Sequence, residues 1–409
     1  MQDKYDLIIV GAGAAGLMAA AEAAHAGLKV LILESQREPG LKILISGGGR
    51  CNVTNAMLSE KNFNAGCMHT LRHVLKTFST RQVVDFFEKW GAPLALQATG
   101  EFFSADDKAR TVRDALVRAA TQGGAKIFCQ KKVGVIVAQD GYFNVVAGEE
   151  IYTARFVLVT TGGLSYPATG SDGSGYFLAE SFGHAIVATR PALVPLLASR
   201  MELTHLSGIT LPVRLSLWAA GKKHHVIDGP LLFTHHGFSG PPPMEMSGYW
   251  QAFKDHVDCR ICCDFIPTMK GEGIDLLFDM HGAKRSIKNL VTGILPERLV
   301  LVLLQEAGID PQKLVVDLSN KDKKALVRVL RAYPLPVADV MGYTKAEVTC
   351  GGVDLKELKG ATLESRLQSG LYFAGEVVDV DGRIGGFNLH WAWASGAAAA
   401  RAIVRKVKA

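Results

Sequence analysis

No stretch of this chain is long and apolar enough to cross a membrane, and its apolar beginning lacks the basic leader and cleavage site of a secretory signal. The expectation is a cytoplasmic protein. There is no arginine-rich or lysine-rich block either. A formal net charge of +6 is small for 409 residues, so the composition argues against nucleic acid as a partner. Cysteines number seven, an odd count in a long chain, which argues for reduced thiols and against a disulfide framework.

Several chemistries are missing their signatures. The single CxxC, Cys259 to Cys262, has no second pair to complete a zinc set, and in an apparent strand its two thiols alternate to opposite faces. His224-His225 and His235-His236 have neither an HExxH nor an acidic pair nearby, so no metal is expected. The triplet Gly47-Gly48-Gly49 is not closed by Gly-Lys-Ser/Thr and is not a P-loop, and no GxS nucleophile elbow is present.

One stretch stands out. Asp6-Leu7-Ile8-Ile9-Val10 runs into Gly11-Ala12-Gly13-Ala14-Ala15-Gly16, an alanine-rich run follows to His25, and a second apolar run ends on Glu34. This spacing predicts strand, glycine turn, helix, strand and acid, with Glu34 close to the offset of about 20 residues expected of a dinucleotide fingerprint. Gly11 allows the tight turn, Gly13 lets backbone approach a pyrophosphate, and Gly16 lets the helix sit on the sheet. The pyrophosphate would rest on the amides of a helix beginning near Ala14. Glu34 would accept hydrogen bonds from the ribose of an adenosine.

A second dense stretch covers residues 41–55, where the three glycines leave amides open to a ligand and Arg50, Asn52 and Asn55 add donors. Cys51 beside Arg50 is a thiol candidate, because a cation and amides lower a thiol pKa; the other reading is a cysteine packed under the loop. Ser79-Thr80-Arg81-Gln82 fits a capping box, a further helix is expected over 109–120, and Asp140-Gly141 reads as a hairpin turn between strands 133–138 and 142–147. Strands are expected from residue 151 onward and again over 155–161.

At 409 residues two domains, or one with an insertion, are expected. From about Pro191 the pattern turns β-rich over 191–268, with strands at 211–218, 231–234 and 257–265, and then helical over 269–339, with 275–331 reading as helix. The α/β pattern returns near Glu347 and closes with a helix of small residues over 391–404. The fold class is α/β, with residues 1–190 and 340–409 forming one discontinuous domain around the insertion 191–339.

With these pieces in order, the chain resembles a family of bacterial FAD-containing oxidoreductases that includes aminoacetone oxidases and dehydro-bile-acid reductases. The resemblance covers nearly the whole chain. It rests on the blocks at 11–16, 42–55, 160–176, 232–241, 348–353 and, most specifically, 370–396. It implies a Rossmann-like FAD-binding domain of the glutathione-reductase type, with the insertion capping the flavin.

In that reading Gly11, Gly13, Ala14, Ala15 and Gly16 hold the pyrophosphate and Glu34 the adenosine ribose. Lys42 and Ser46, Gly47, Gly48, Gly49, Arg50, Cys51 and Asn52 line the flavin and ribityl side. Val133 meets adenine through its backbone, and Thr161 and Gly162 lie near the phosphates. Gly375 and Glu376 approach the ribityl and pyrophosphate, and Gly386, Asn388 and Leu389 turn amides toward the flavin's pyrimidine carbonyl. His390 and Ile384 stand where glutamine and threonine are common, both bordering the flavin, and Ser104 where proline is usual.

The implied reaction is hydride transfer between flavin and a small organic substrate. His235 and Tyr166 are candidate pocket residues, His235 as a proton donor, with His390 a third catalytic candidate. Rivals left open are an amine oxidase passing electrons to oxygen, a tRNA-modifying flavoprotein and a flavin-binding sensor. Gly170 to Gly175 lacks the spacing of a second fingerprint, so any NAD(P)H is expected to act as a transient electron donor at the flavin face.

Overall fold

The computed structural model describes residues 4–269 and 285–409. The chain divides into two compact units, Met1–Pro191 with Tyr343–Ala409, and Ala192–Gly342.

The first unit is built on a mostly parallel sheet. Its central strand Lys4–Val10 lies between Val30–Leu33 and Glu150–Val159, Lys126–Phe128 adds outside the former, and Leu371–Phe373 pairs with the latter, all in parallel. The inner strands are apolar runs because both faces are covered: Leu7, Ile8, Ile9, Leu31, Ile32, Leu371 and Phe373 are fully buried. Residues 150–159 form one strand where two were expected. Its first half pairs antiparallel with Tyr142–Ala147 and its second half parallel with the central strand, so the change of partner, not a break in the chain, separates the halves. The turn before Tyr142 has Asp140 and Gly141 at φ 49° and 79°, as a two-residue hairpin loop requires.

Register places the site. Val10 is level with Leu33 and Val159, Leu33 with Phe128, and Val159 with Phe373. The carboxyl ends of the parallel strands therefore form one edge, from which the glycine turn, Glu34, residues 160–163 and residues 374–376 all depart. Ligands of open α/β sheets bind at such an edge.

Helix Ala14–His25 packs against the closing helix Phe387–Lys408, which is longer at both ends than expected. Small residues set the approach: a Cβ on Gly396 would stand 2.3 Å from the Ala15 carbonyl oxygen, and one on Gly16 2.1 Å from that of Gly11. Helix Thr80–Lys89 opens with the expected capping box of Ser79 and Gln82, and helix Ala109–Gln122 is present.

The second unit holds a seven-stranded sheet in the order Tyr333–Leu335, Arg260–Asp264, Thr210–Ala219, Lys222–Phe233, Gly237–Ser239, Leu196–Ala198, Val337–Val340. Every pairing is antiparallel among the described residues. The strand expected at 231–234 is the end of a twelve-residue strand, whose polar outer half hides its length from a hydrophobic reading. Helices Pro241–Phe253, Ile287–Val291, Glu297–Ala307 and Asn320–Arg331 accompany the sheet; the expected helical stretch at 275–284 lies outside the described residues. No described helix is long and apolar enough to cross a membrane.

Candidate functional site

The glycine turn has the shape of a phosphate cradle. Gly11 sits at φ 100°, and a Cβ there would come 2.8 Å from the Thr160 carbonyl oxygen, whereas one on Gly13 would meet nothing within 4 Å. Gly13 caps the first helix without a side-chain hydrogen bond, so the first-turn amides of Ala14, Ala15 and Gly16 have no capping acceptor and the positive helix end faces open space. Glu34, buried beside this turn, accepts from the Ala12 amide at 2.6 Å and the Gln36 amide at 2.8 Å. It holds the turn as well as facing it. Its carbonyl takes the Lys131 amide, which brings the segment leading to the buried Val133 alongside.

From the next strand end, Thr160 Oγ1 donates across to the glycine turn, 2.8 Å from the Gly11 carbonyl. Thr161 lies where a Cβ on Gly175 would meet its Oγ1 at 1.9 Å, and Gly162, at φ 76°, leaves 2.5 Å between its own Cβ position and Ser171 Oγ.

The second dense stretch folds as helix Leu41–Ile45 and a tight turn Ser46–Gly49, with Gly47, Gly48 and Gly49 at φ 55°, 67° and 87°. Ser46 closes the helix through its hydroxyl on the Ile43 carbonyl. Arg50 lays its guanidinium over Phe103 at 4.3 Å and pairs with Asp107 at 3.6 Å. Cys51 is fully buried, and burial pushes its thiol up to about 12 against a hydrogen bond with Ser46. Of the two readings of Cys51, the cysteine packed under the loop is the one the geometry favours, because the desolvation of a buried thiolate outweighs any help from neighbouring donors. Asn52 directs its side-chain oxygen at Gly386, where a Cβ would stand 2.5 Å away, and that buried oxygen has no partner among the described residues.

A hydrogen-bonded hub ties these segments to the end of the chain. Lys42 Nζ lies 2.5 Å from Glu376 Oε2 and donates to Ser165 Oγ at 2.5 Å, and the Ser165 hydroxyl donates to Glu376 Oε1 at 2.5 Å. The Thr349 amide also donates to Oε1, at 2.9 Å, and Thr349 Oγ1 accepts from the amides of Leu164 and Ser165. Sequence reasoning singled out Lys42 and Glu376 but missed the parts of Ser165 and Thr349, whose motifs were the only signal.

Tyr166 follows Ser165 with φ 53°, an uncommon left-handed conformation for such a residue. Its amide donates to the Tyr343 carbonyl, and burial, then Glu347, raises its phenol pKa. Burial also raises the Glu347 carboxyl, with Lys42 opposing. Part of Glu347 also reaches solvent. The Tyr176 hydroxyl is buried with no hydrogen-bond partner among the described residues.

At the closing helix, Gly375 is held by Ser395 and Trp391 and lies against Ala15, to whose Cβ its own would come within 2.9 Å. Gly386 caps the helix at φ 86° without a side-chain cap. Asn388 spends its side chain on both backbone groups of Gly382, so it and the half-buried Leu389 offer only backbone. His390 needs correction as a catalytic candidate. It is fully buried, Thr54 lies 2.7 Å from Nδ1 and the Phe78 carbonyl 3.0 Å from Nε2, and burial lowers its pKa to about 4. A neutral ring with both nitrogens engaged in the core is structural.

His235 belongs to the second unit, exposed in the turn between Lys222–Phe233 and Gly237–Ser239. Thr234 organises that turn through the amides of His236 and Gly237. Cys259, Cys262 and Cys263 are free thiols raised by burial, and no metal-binding group of side chains exists among the described residues.

An open, uncapped helix start at the carboxyl edge, glycines whose missing Cβ atoms leave room, and an unpaired buried oxygen on Asn52 together fit a dinucleotide with polar groups along its length. The model of the HI0933-like protein Rossmann domain matches residues 5–402. The chain belongs to that family. This HI0933-like protein is an FAD-dependent oxidoreductase. It is 34% identical over 407 residues to the ribosomal RNA dihydrouridine synthase of Escherichia coli, with 98% of each chain covered. The enzyme of that name from Haemophilus influenzae is 33% identical, covering 99% of this chain and 100% of the relative. The 3-dehydro-bile acid delta(4,6)-reductase of Clostridium scindens is 30% identical, covering 97% and 98%. Among solved structures, the 3-ketosteroid delta1-dehydrogenase of Sterolibacterium denitrificans shares the fold at a TM-score of 0.54 and 14% identity, covering 99% of this chain and 100% of that one.

Proposed function

We propose that this chain saturates a carbon–carbon double bond conjugated to a carbonyl group, and that its substrate is uridine in ribosomal RNA. One observation carries the reading. The three relatives matched over nearly their whole length have names that denote one reaction type, the addition of two hydrogens across such a bond, in a uracil ring or in an oxidised bile acid. Identities of 34% and 33% against 30% favour the RNA substrate. The small net charge does not oppose this reading, because net charge averages the whole chain while a binding face is local.

FAD, when bound, would supply the electron pair, with NADH or NADPH as its transient donor. The chain's residues bind, orient and hold the remaining proton. Gly11, Gly13, Ala14, Ala15 and Gly16 present amides to the pyrophosphate, with Thr161, Gly162 and Gly375 beside it. Glu34 takes the adenosine ribose and the Val133 backbone the adenine. Lys42, Glu376 and the segment from Ser46 to Asn52 hold the ribityl and flavin side, and Gly386, Asn388 and Leu389 give backbone amides. A buried unpaired acceptor costs about 1–3 kcal/mol, so a donor on the cofactor relieves Asn52. Tyr166 holds the proton for the carbon next to the substrate carbonyl, its phenol kept protonated by burial and by Glu347. His235 is the other candidate donor. Seven free thiols accord with a cytoplasmic enzyme.

The holoenzyme supplied with NADH or NADPH and ribosomal RNA should yield dihydrouridine among the digested nucleosides, identified by the mass of two added hydrogens. Turnover of a 3-oxo-4-ene steroid without dihydrouridine would move the reading to a free small molecule. Saturation of neither would overturn it.

A further inference from the structure

The sheet of the second unit alternates cleanly along Thr210–Ala219: Leu211, Val213, Leu215, Leu217 and Ala219 are buried, while Thr210, Pro212, Arg214, Ser216 and Trp218 face outward and reach solvent to differing degrees. A tryptophan on the outer face of a sheet is a poor choice for solubility. Trp218 is level with Lys223 on one neighbouring strand and Arg260 on the other, so the three side chains form a row across the sheet. The Lys223 ammonium lies 5.1 Å and the Arg260 guanidinium 5.6 Å from the indole centroid, and Lys222, also exposed, adjoins the row.

The acids near the row are engaged. Asp258 turns both carboxylate oxygens onto the amides of Ala220 and Gly221, at 2.7 and 2.6 Å, which also fixes the hairpin tip. Farther along the same face Asp228 forms a two-bonded pair with Arg214, and Asp264 faces Arg331 at 3.4 Å. Lys222, Lys223 and Arg260 have no carboxylate partner within salt-bridge distance among the described residues. Three cations, Lys222, Lys223 and Arg260, against the one nearby carboxylate of Asp258 leave the end of the sheet locally positive around one aromatic ring, which the small net charge of the chain conceals.

We propose that this row, Lys223–Trp218–Arg260, is a docking platform for single-stranded RNA, with a base stacked on Trp218 and flanking phosphates on Lys223 and Arg260. Aromatic stacking between cations is how sequence-tolerant proteins hold an RNA strand. An arriving base takes the place of one of the two cationic side chains on the indole, and the displaced charge meets a phosphate. The inference rests on the ribosomal RNA reading above and assigns it a surface.

The test compares holoenzyme and the variants W218A and K223E/R260E for binding of a fluorescent uridine-rich RNA oligomer across a range of salt, with flavin content and melting temperature as controls for folding. In K223E/R260E the affinity should fall by at least about tenfold, and the slope of log K against log salt should flatten by about 1 to 2, as expected on losing two phosphate contacts. W218A should weaken binding about tenfold with the slope unchanged. If the holoenzyme makes dihydrouridine while the folded variants bind with unaltered affinity and slope, the platform is wrong and the function stands. If the holoenzyme neither binds RNA nor modifies it, the RNA reading itself fails.

Discussion

Lys42 and Glu376, 334 residues apart in sequence, meet at 2.5 Å and share Ser165 as a common hydrogen-bond partner. The contact joins the short helix after the glycine turn to the segment leaving the last parallel strand. Both side chains are more than two-thirds buried, so this pair is not of the solvent-screened kind that contributes little.

Lys42→Met should therefore weaken FAD binding by about 10- to 100-fold, the range of a hydrogen bond to a charged group. Fluorescence titration of FAD into the apoprotein checks this. A dissociation constant equal to that of the unaltered chain would show that the hub serves the fold alone.

The Gly48→Val variant separates backbone from cofactor. A Cβ at Gly48 meets nothing within 4 Å, so no protein clash arises, and the direct cost is the left-handed φ of 67°, about 1–2 kcal/mol. The variant should fold with a slightly lower melting temperature and lose most of its FAD. Full flavin content would remove the glycine turn from the cofactor site.

Two buried groups set opposing pH dependences. Burial lowers His390 to about 4 in the fold from its ordinary 6.5, so its contribution is fully present above about 6.5 and is lost as pH falls toward 4. Asp381 is raised to about 6 from 3.8, chiefly by burial; the fold binds its proton more tightly, and stability is gained as pH falls from about 6 toward 4. The two slopes nearly cancel in that window. His390→Gln should make melting temperature rise on acidification relative to the unaltered chain, and Asp381→Asn should make it fall more steeply. Parallel curves for all three proteins would refute both assignments.

Thiol reactivity follows burial. Cys67 is lowered by its hydrogen bonds with Thr70, while Cys51, Cys263 and Cys350 are buried and raised. Iodoacetamide at neutral pH should label Cys67 first, as read by peptide mass mapping. Early labelling of Cys51 would restore it as a reactive thiol.

What was legible in the sequence was local. The fingerprint, the capping box at Ser79 and the Asp140-Gly141 turn are each set by residues within a few positions of one another, and all three stand in the structure. The hub of Lys42, Ser165, Thr349 and Glu376 brings together four distant segments, and no spacing rule reports such a meeting. His390 misled for a related reason: its place beside the start of the closing helix suggested the flavin, but helical geometry turns the ring inward to Thr54 and Phe78. Trp218 passed as one more apolar residue in a strand, because only the register shows Lys223 and Arg260 on either side of it.

The last prediction concerns the proton. Saturating a conjugated double bond needs a donor at the carbon next to the carbonyl, and Tyr166 and His235 are the two candidates. Tyr166 adjoins the hub through Ser165, is held in an uncommon backbone conformation, and carries a phenol whose pKa is raised by burial and by Glu347, so it stays protonated at neutral pH. His235 stands exposed in its turn. Tyr166→Phe should slow substrate saturation by about 10²- to 10⁴-fold, the usual share of a general acid, while FAD content and the rate of flavin bleaching by NADH or NADPH stay the same. His235→Ala should change the same rate by less than about threefold, well below a general acid's share. Stopped-flow absorbance separates the two half-reactions. If Tyr166→Phe reduces substrate at the unaltered rate and His235→Ala does not, the donor is the histidine and the role given to the phenol is wrong.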